Sequence, residues 1–160
     1  MLKIITPSTV DQIALDAEGR GQEGYSIYFS GHQAPTDETE WWRPILDRLD
    51  EDFSDSTSIH ITVFVPTDTQ PTQKEIKWRL HAQESSDIIL HYFGEGKASV
   101  DTALELGLWA NNALDTEQIV ICSPKSEQYE LLSRVAGFYL GEIFESVEDG
   151  LHYLMNCIYS

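Results

Sequence analysis

SDIILHYFGEGKASVDTALELG, from Ser86 to Gly107, is the stretch whose reading decides the fold class. A polar pair opens it, a largely apolar and aromatic run from Ile88 to Phe93 follows, and the loop GEGKAS breaks that run. A helix then opens on Val100-Asp101 and carries Glu105 about one turn in. A strand that is apolar almost without interruption is buried on both faces, as the central strands of parallel sheets are. Strand, glycine loop and helix in that order can deliver an acidic side chain to a cleft at the end of such a sheet.

Working outward, the same alternation recurs. Leu2 to Thr6 reads as a first strand stopped by Pro7, and Tyr25 to Ser30 as a second, bounded by Gly24 and Gly31. Glu40 to Leu49 repeats Trp42, Ile45, Leu46 and Leu49 at helical spacing, with Thr39 as its expected N-cap. Ser58 to Val65 is a third strand, closed by Pro66. Pro71 stands near the start of a helix carrying Ile76, Leu80 and Gln83, and Asp87 to Phe93 is the fourth strand. After the helix Val100 to Ala113 come a fifth strand at Gln118 to Cys122 and a helix at Ser126 to Val135. Tyr139 to Phe144 is open to a short strand, and Val147 to Ile158 is a terminal helix. The expectation is a flavodoxin-like three-layer α/β sandwich around a central, mainly parallel, five-stranded sheet. No repeat or linker divides the 160 residues, so 1–160 is expected to be a single domain.

Composition narrows the partners. With 27 Asp+Glu against 10 Lys+Arg the net charge is −17, which repels a polyanion and excludes duplex DNA or RNA as the natural ligand. The acids are scattered along the chain, which suits a solubility or salt adaptation; a binding face for a basic protein is the other reading. The apolar runs are too short to span a bilayer, and MLKIITPSTV turns polar too soon for a secretory leader. Cys122 and Cys157 lack metal or CxxC spacing and read as buried hydrophobes, so a cytoplasmic protein is expected.

Few residues offer chemistry. On the helix after GEGKAS, Asp101, Glu105 and Trp109 form one stripe, Val100, Leu104 and Leu108 a second, and Ala103, Gly107 and Ala110 a third suited to close packing. Like charges at i, i+4 and a mid-helix glycine both cost helix stability. From the residues alone Glu105 is either a working carboxylate or a solvated one, and Asp101 either its companion or a complement to the helix N-terminus. The five histidines show no metal spacing, GEGKAS is neither a P-loop nor GxGxxG, and no Gly-x-Ser-x-Gly elbow occurs, so no metal or cofactor is implied. Among the aromatic residues, Phe93 is the best placed to act as a ligand platform, at a strand's C-terminal end.

Taken in order, KIITPS, YSIYFSG, the WW of Trp41-Trp42, VFVP, QKEIKW, SDIILHYF and ALELG resemble the nucleoside 2-deoxyribosyltransferase family, and most closely its bacterial domain branch. The likeness covers most of the chain up to about Cys122. It implies a flavodoxin-like fold and transfer or cleavage at the N-glycosidic bond of a nucleoside or nucleotide. By that resemblance Glu105 is the nucleophile, Tyr28 orients it, and Asp101 helps to hold the sugar. Asp87 opens its strand as its counterpart does, in a structural role, and is grouped with Ser30, Gly31, Phe93 and Arg79 as the substrate-binding set. The resemblance further implies a homo-oligomer whose sites are completed by a neighbouring subunit.

The chain departs from the family at one step. Where the family places an acid after the tryptophan of the preceding helix, to protonate the departing base, this sequence reads Lys77-Trp78-Arg79. Arginine stays protonated at neutral pH and donates no proton to a leaving group. Glu75 or His32 is the substitute acid on offer, and Arg79 is placed to receive a phosphate instead. The expected activity is a retaining double displacement through Glu105. The alternative is a nucleoside- or nucleotide-binding regulatory module with impaired catalysis.

Overall fold

A computed structural model describes residues 1–7, 24–31, 40–66, 71–96, 99–110, 116–139 and 142–160. The expected Thr39 cap and the His32 acid lie outside these residues, as does the end of the helix expected to run to Ala113. Among the described residues six strands are found, β1 Leu2–Ile5, β2 Gly24–Gly31, β3 His60–Phe64, β4 Ile88–Phe93, β5 Glu117–Cys122 and β6 Ile143–Phe144. Five helices accompany them among the described residues, α1 Arg43–Phe53, α2 Gln73–Glu84, α3 Val100–Trp109, α4 Tyr129–Tyr139 and α5 Val147–Tyr159. None of these helices is long and apolar enough to cross a membrane.

The strand order is β1-β3-β2-β4-β5-β6, and β1–β3, β2–β3 and β5–β6 are parallel. Five of these strands, β3-β2-β4-β5-β6, follow the flavodoxin-like order, and β1 is added at the edge beside β3. The fold is therefore the α/β class expected from the sequence, with six strands where five were expected. The sixth, Ile143–Phe144, follows α4, which continues to Tyr139, and pairs with Val120 and Ile121.

The described residues fall into two compact units, one within Met1–Phe29 and Gln33–Ile88, the other within Ser30–His32 and Ile89–Ser160. In the first, β1 lies against β3 in the register Leu2 to Ile61, and Tyr25 of β2 also faces Ile61. The Met1 ammonium donates to the Ser56 and Ile59 carbonyls at 3.0 and 2.7 Å, which fixes the start of β1. The helix α1 buries Ile45, Leu46 and Leu49 of the expected stripe together with Phe53, whereas Trp42, the stripe's first member, stands at the N-cap and is only partly buried.

In α2 the buried face differs from expectation. Ile76 and Leu80 are exposed, whereas Glu75, Trp78, Ala82 and Gln83 are buried. Trp78 decides the rotation, because its ring packs 6.3 Å from Phe64 and 6.5 Å from Tyr28 between centroids. An indole removes more apolar area from water than either aliphatic side chain. Thr72 caps this helix by accepting the Glu75 N–H, a contact typically worth about 1 kcal/mol.

The second unit is built on β4, β5 and β6. Phe93, Leu106, Val120, Cys122 and Leu132 form its core, with Tyr129 and Ile143 packed against them. The helix α5 starts at Ser146, whose hydroxyl accepts the Asp149 N–H and donates to the Asp149 carboxylate. Its Gly150 lies against β5, where an added Cβ would stand 2.5 Å from Ile121 Cδ1. Any side chain there would force Ile121 to shift within the core.

Candidate functional site

In an open α/β sheet the ligand crevice lies beyond the C-terminal strand ends where the strand order reverses. Here the order reverses at β2 and β4, since the chain leaves β2 for β3 on one side and returns to β4 on the other. The last residues of β2, Ser30 and Gly31, belong to the same unit as β4 beyond Ile88 and α3.

The loop after β4 is tied down before α3 begins. Gly96 has φ 79°, the left-handed region that suits glycine, and forms a parallel bridge to Ser126. Its N–H donates to the Lys125 carbonyl at 3.3 Å, and its carbonyl accepts from Glu127 at 3.0 Å. Lys125 Nζ reaches Glu95 Oε1 at 3.0 Å across the same pair of loops. The engagement of Ser126 in this bridge accounts for α4 starting at Tyr129, later than the sequence suggested. Ser99 then caps α3 by accepting the Thr102 N–H, and Asp101 lies in the first turn, where a negative charge complements the helix dipole.

Leu106 of α3 points into the core, and Glu105, one residue earlier on the helix, is half-buried. The Ser30 hydroxyl donates a short hydrogen bond to Glu105 Oε2, and Ser30 itself is fully buried. Two members of the expected site, 75 residues apart in sequence, therefore meet through side chains. A carboxylate gripped by a buried hydroxyl at a topological switch point is an organised group, unlike an acid on an open helix face.

The remaining expected residues are placed as follows. Tyr28 is fully buried two residues before Ser30 on the same face of β2, with its ring toward Trp78. Gly31 ends β2 and is partly exposed, and Asp101 is exposed on α3. Asp87 Oδ2 accepts from the Ser26 N–H at 2.8 Å and from its hydroxyl at 2.6 Å, a fastening between β2 and the start of β4. Phe93, expected as a platform, is 1% exposed and packs in the apolar core of the second unit. Arg79 is largely buried with Nη2 3.6 Å from Glu75 Oε1, so the two residues considered as phosphate receiver and substitute acid engage each other.

His91 is a core residue, its Nε2 2.7 Å from Gln118 Oε1, with burial holding its pKa down at about 4. Burial likewise raises the Cys122 thiol above its usual value, which suits a packing role. Among the described residues no group of His, Cys, Asp and Glu is placed to hold a metal ion. The sequence had put Ser30 on the substrate side. Its hydroxyl position at i+2 from Tyr28 was the available sign that it shares a face with the residue expected to orient Glu105.

The fold and site thus define a flavodoxin-like α/β protein with an anchored carboxylate on the helix that follows its switch-point strand. Residues 24–126 match the family described as "Nucleoside 2-deoxyribosyltransferase like". The chain belongs to that family, and the matched span contains Tyr28, Ser30, Asp87 and Glu105. No curated protein matches the chain.

Proposed function

We propose that the protein transfers or cleaves the N-glycosidic bond of a nucleoside or nucleotide, with Glu105 as nucleophile. The observation that carries this reading is the hydrogen bond from Ser30 to Glu105 beside the switch point, in a chain of this family. A Glu105 oxygen attacks C1′, the bond from C1′ to the base nitrogen breaks, and its electron pair leaves with the base, which takes a proton from solvent or an acid. A second base, or water, then forms its bond to C1′ while the ester bond to Glu105 breaks and the carboxylate is regenerated. Two inversions give net retention. Tyr28 and Asp101 complete the proposed catalytic set, the first orienting the carboxylate and the second holding the sugar.

The test is release of free base from a panel of 2′-deoxynucleosides and their 5′-phosphates, followed by chromatography. Wild type is expected to release base from at least one, and Glu105→Ala to lose that activity by about a thousandfold or more. Equal rates in the two proteins would remove Glu105 from the reaction.

A second reading rests on Arg79, which follows Trp78 where the resemblance implies a proton donor and which lies 3.6 Å from Glu75. On this reading the protein is a nucleoside- or nucleotide-binding regulatory module. It predicts a ligand-dependent rise in Tm without base release, and measurable turnover would dismiss it.

The protein is further proposed to work as a homo-oligomer. Val100, Leu104 and Leu108 on α3 are 79%, 63% and 51% exposed, and Leu131 and Phe138 on α4 are exposed as well. Beside them Ala103 and Gly107 are also exposed, and a Cβ at Gly107 would meet nothing within 4 Å. This uncharged stripe is the kind of surface on which two copies of a strongly acidic chain can meet without bringing their charges together.

A further inference from the structure

We propose that Ser30 is a positioning residue that governs the second half of the double displacement, the departure of Glu105 from the sugar. This inference rests on Glu105 being the nucleophile. Ser30 is fully buried at the end of β2, and a serine hydroxyl has one proton to give. In this structure that proton goes to Glu105 Oε2. We assign Oε2 to the Ser30 bond throughout the reaction and the bond to C1′ to Oε1.

The two halves of the reaction use this bond unequally. A hydrogen bond to an ionised oxygen is roughly twice as strong as one to a neutral oxygen. Glu105 is a carboxylate before the attack and after release, and between them Oε2 is the carbonyl oxygen of a glycosyl ester. The Ser30 bond therefore favours both carboxylate states over the covalent intermediate. As C1′–Oε1 breaks, its electron pair returns to the carboxylate, and the bond strengthens along that path. Ser30 thus promotes attack of the acceptor base or water on C1′ by making Glu105 a better leaving group. A fixed donor aimed at developing charge performs the same task in oxyanion holes.

Removing the hydroxyl should slow breakdown of the intermediate more than its formation. For Ser30→Ala we expect kcat to fall roughly tenfold to a hundredfold, the range set by a bond to a charged group. KM should fall in parallel, so that kcat/KM changes by only a few-fold, because kcat/KM reports the steps up to base departure. Intact-protein mass spectrometry of the variant during turnover should detect added mass of one sugar on the chain. Ser30→Thr, which retains a hydroxyl and suits a strand, should restore kcat. Ser30→Cys, close in volume but a weak donor, should behave like Ser30→Ala and serves in its place if that variant fails to fold.

Unchanged kcat without adduct in Ser30→Ala would overturn the inference. So would an equal loss of kcat and kcat/KM with a lowered Tm that Ser30→Thr does not rescue, since that pattern marks structural support alone. Glu105→Ala separates the two levels: wild-type turnover in that variant removes the nucleophile reading itself. An inactive Glu105→Ala beside a normal Ser30→Ala removes only the role given to Ser30.

Discussion

His91 lies inside β4 with no exposed surface, where burial holds its imidazole neutral, and it contributes a pH-dependent part of the stability. Burial pushes its pKa down from 6.5 to about 4, against the smaller upward pull of Gln118. An unfolded chain takes up a proton there as pH falls through 6.5, while the folded chain does not until about 4. Its contribution is therefore fully present above 6.5, declines through that window and is lost below 4, with a total of about 3 kcal/mol. His91→Gln keeps a donor for Gln118 and carries no titratable group. The Tm advantage of wild type over this variant should shrink steadily between pH 7 and pH 4.5, and a constant difference across that range would contradict the assignment. The sequence revealed His91 as a core residue because a histidine in an apolar strand has little other place to go. It did not reveal that Ser30 holds Glu105, since a contact across 75 residues leaves no mark in local spacing.

Helices α3 and α2 mark the limit of periodicity as a guide to packing. The positions of β2, β3, β4 and β5 were legible within two residues, because glycine, proline and β-branched runs punctuate them locally. The inward face of α2 was not, because apolar spacing pointed to Ile76 and Leu80 while the area of Trp78 decided the outcome. On α3 the three stripes were read correctly as stripes, but the small-residue one was expected to pack closely, and Ala103 and Gly107 are exposed. Only Thr102 and Leu106 of α3 are buried, so most of its apolar surface faces outward. That surface carries the prediction at this scale. In light scattering coupled to size exclusion, wild type should run as a dimer or larger, and Leu104→Lys, which places a charge mid-stripe, should shift it toward monomer. A wild-type monomer at tens of micromolar would rule out α3 as a docking face.

For the chain as a whole the deciding quantity is charge. Ten Lys+Arg cannot compensate 27 Asp+Glu, and several of the basic side chains are already paired, Arg43 with Glu40, Arg48 with Asp52 and Lys125 with Glu95. These pairs are exposed on at least one side, and such pairs contribute about 0–1 kcal/mol each. Salt weakens them, but it also weakens the repulsion among the uncompensated acids, which far outnumber the pairs. Screening is effective beyond a Debye length, about 30 Å at 0.01 M and 8 Å at 0.15 M, so repulsion between scattered acids is the part that salt removes. The melting temperature should therefore rise as NaCl increases from 10 to about 500 mM, by several degrees for a chain of this size if screening recovers a few kcal/mol. Choline chloride at the same ionic strength should give a similar rise, because general screening depends on ionic strength and not on a sodium site. A flat or falling Tm would mean that the native fold relies on its ion pairs more than it suffers from its net charge, and an effect confined to sodium would point to specific binding.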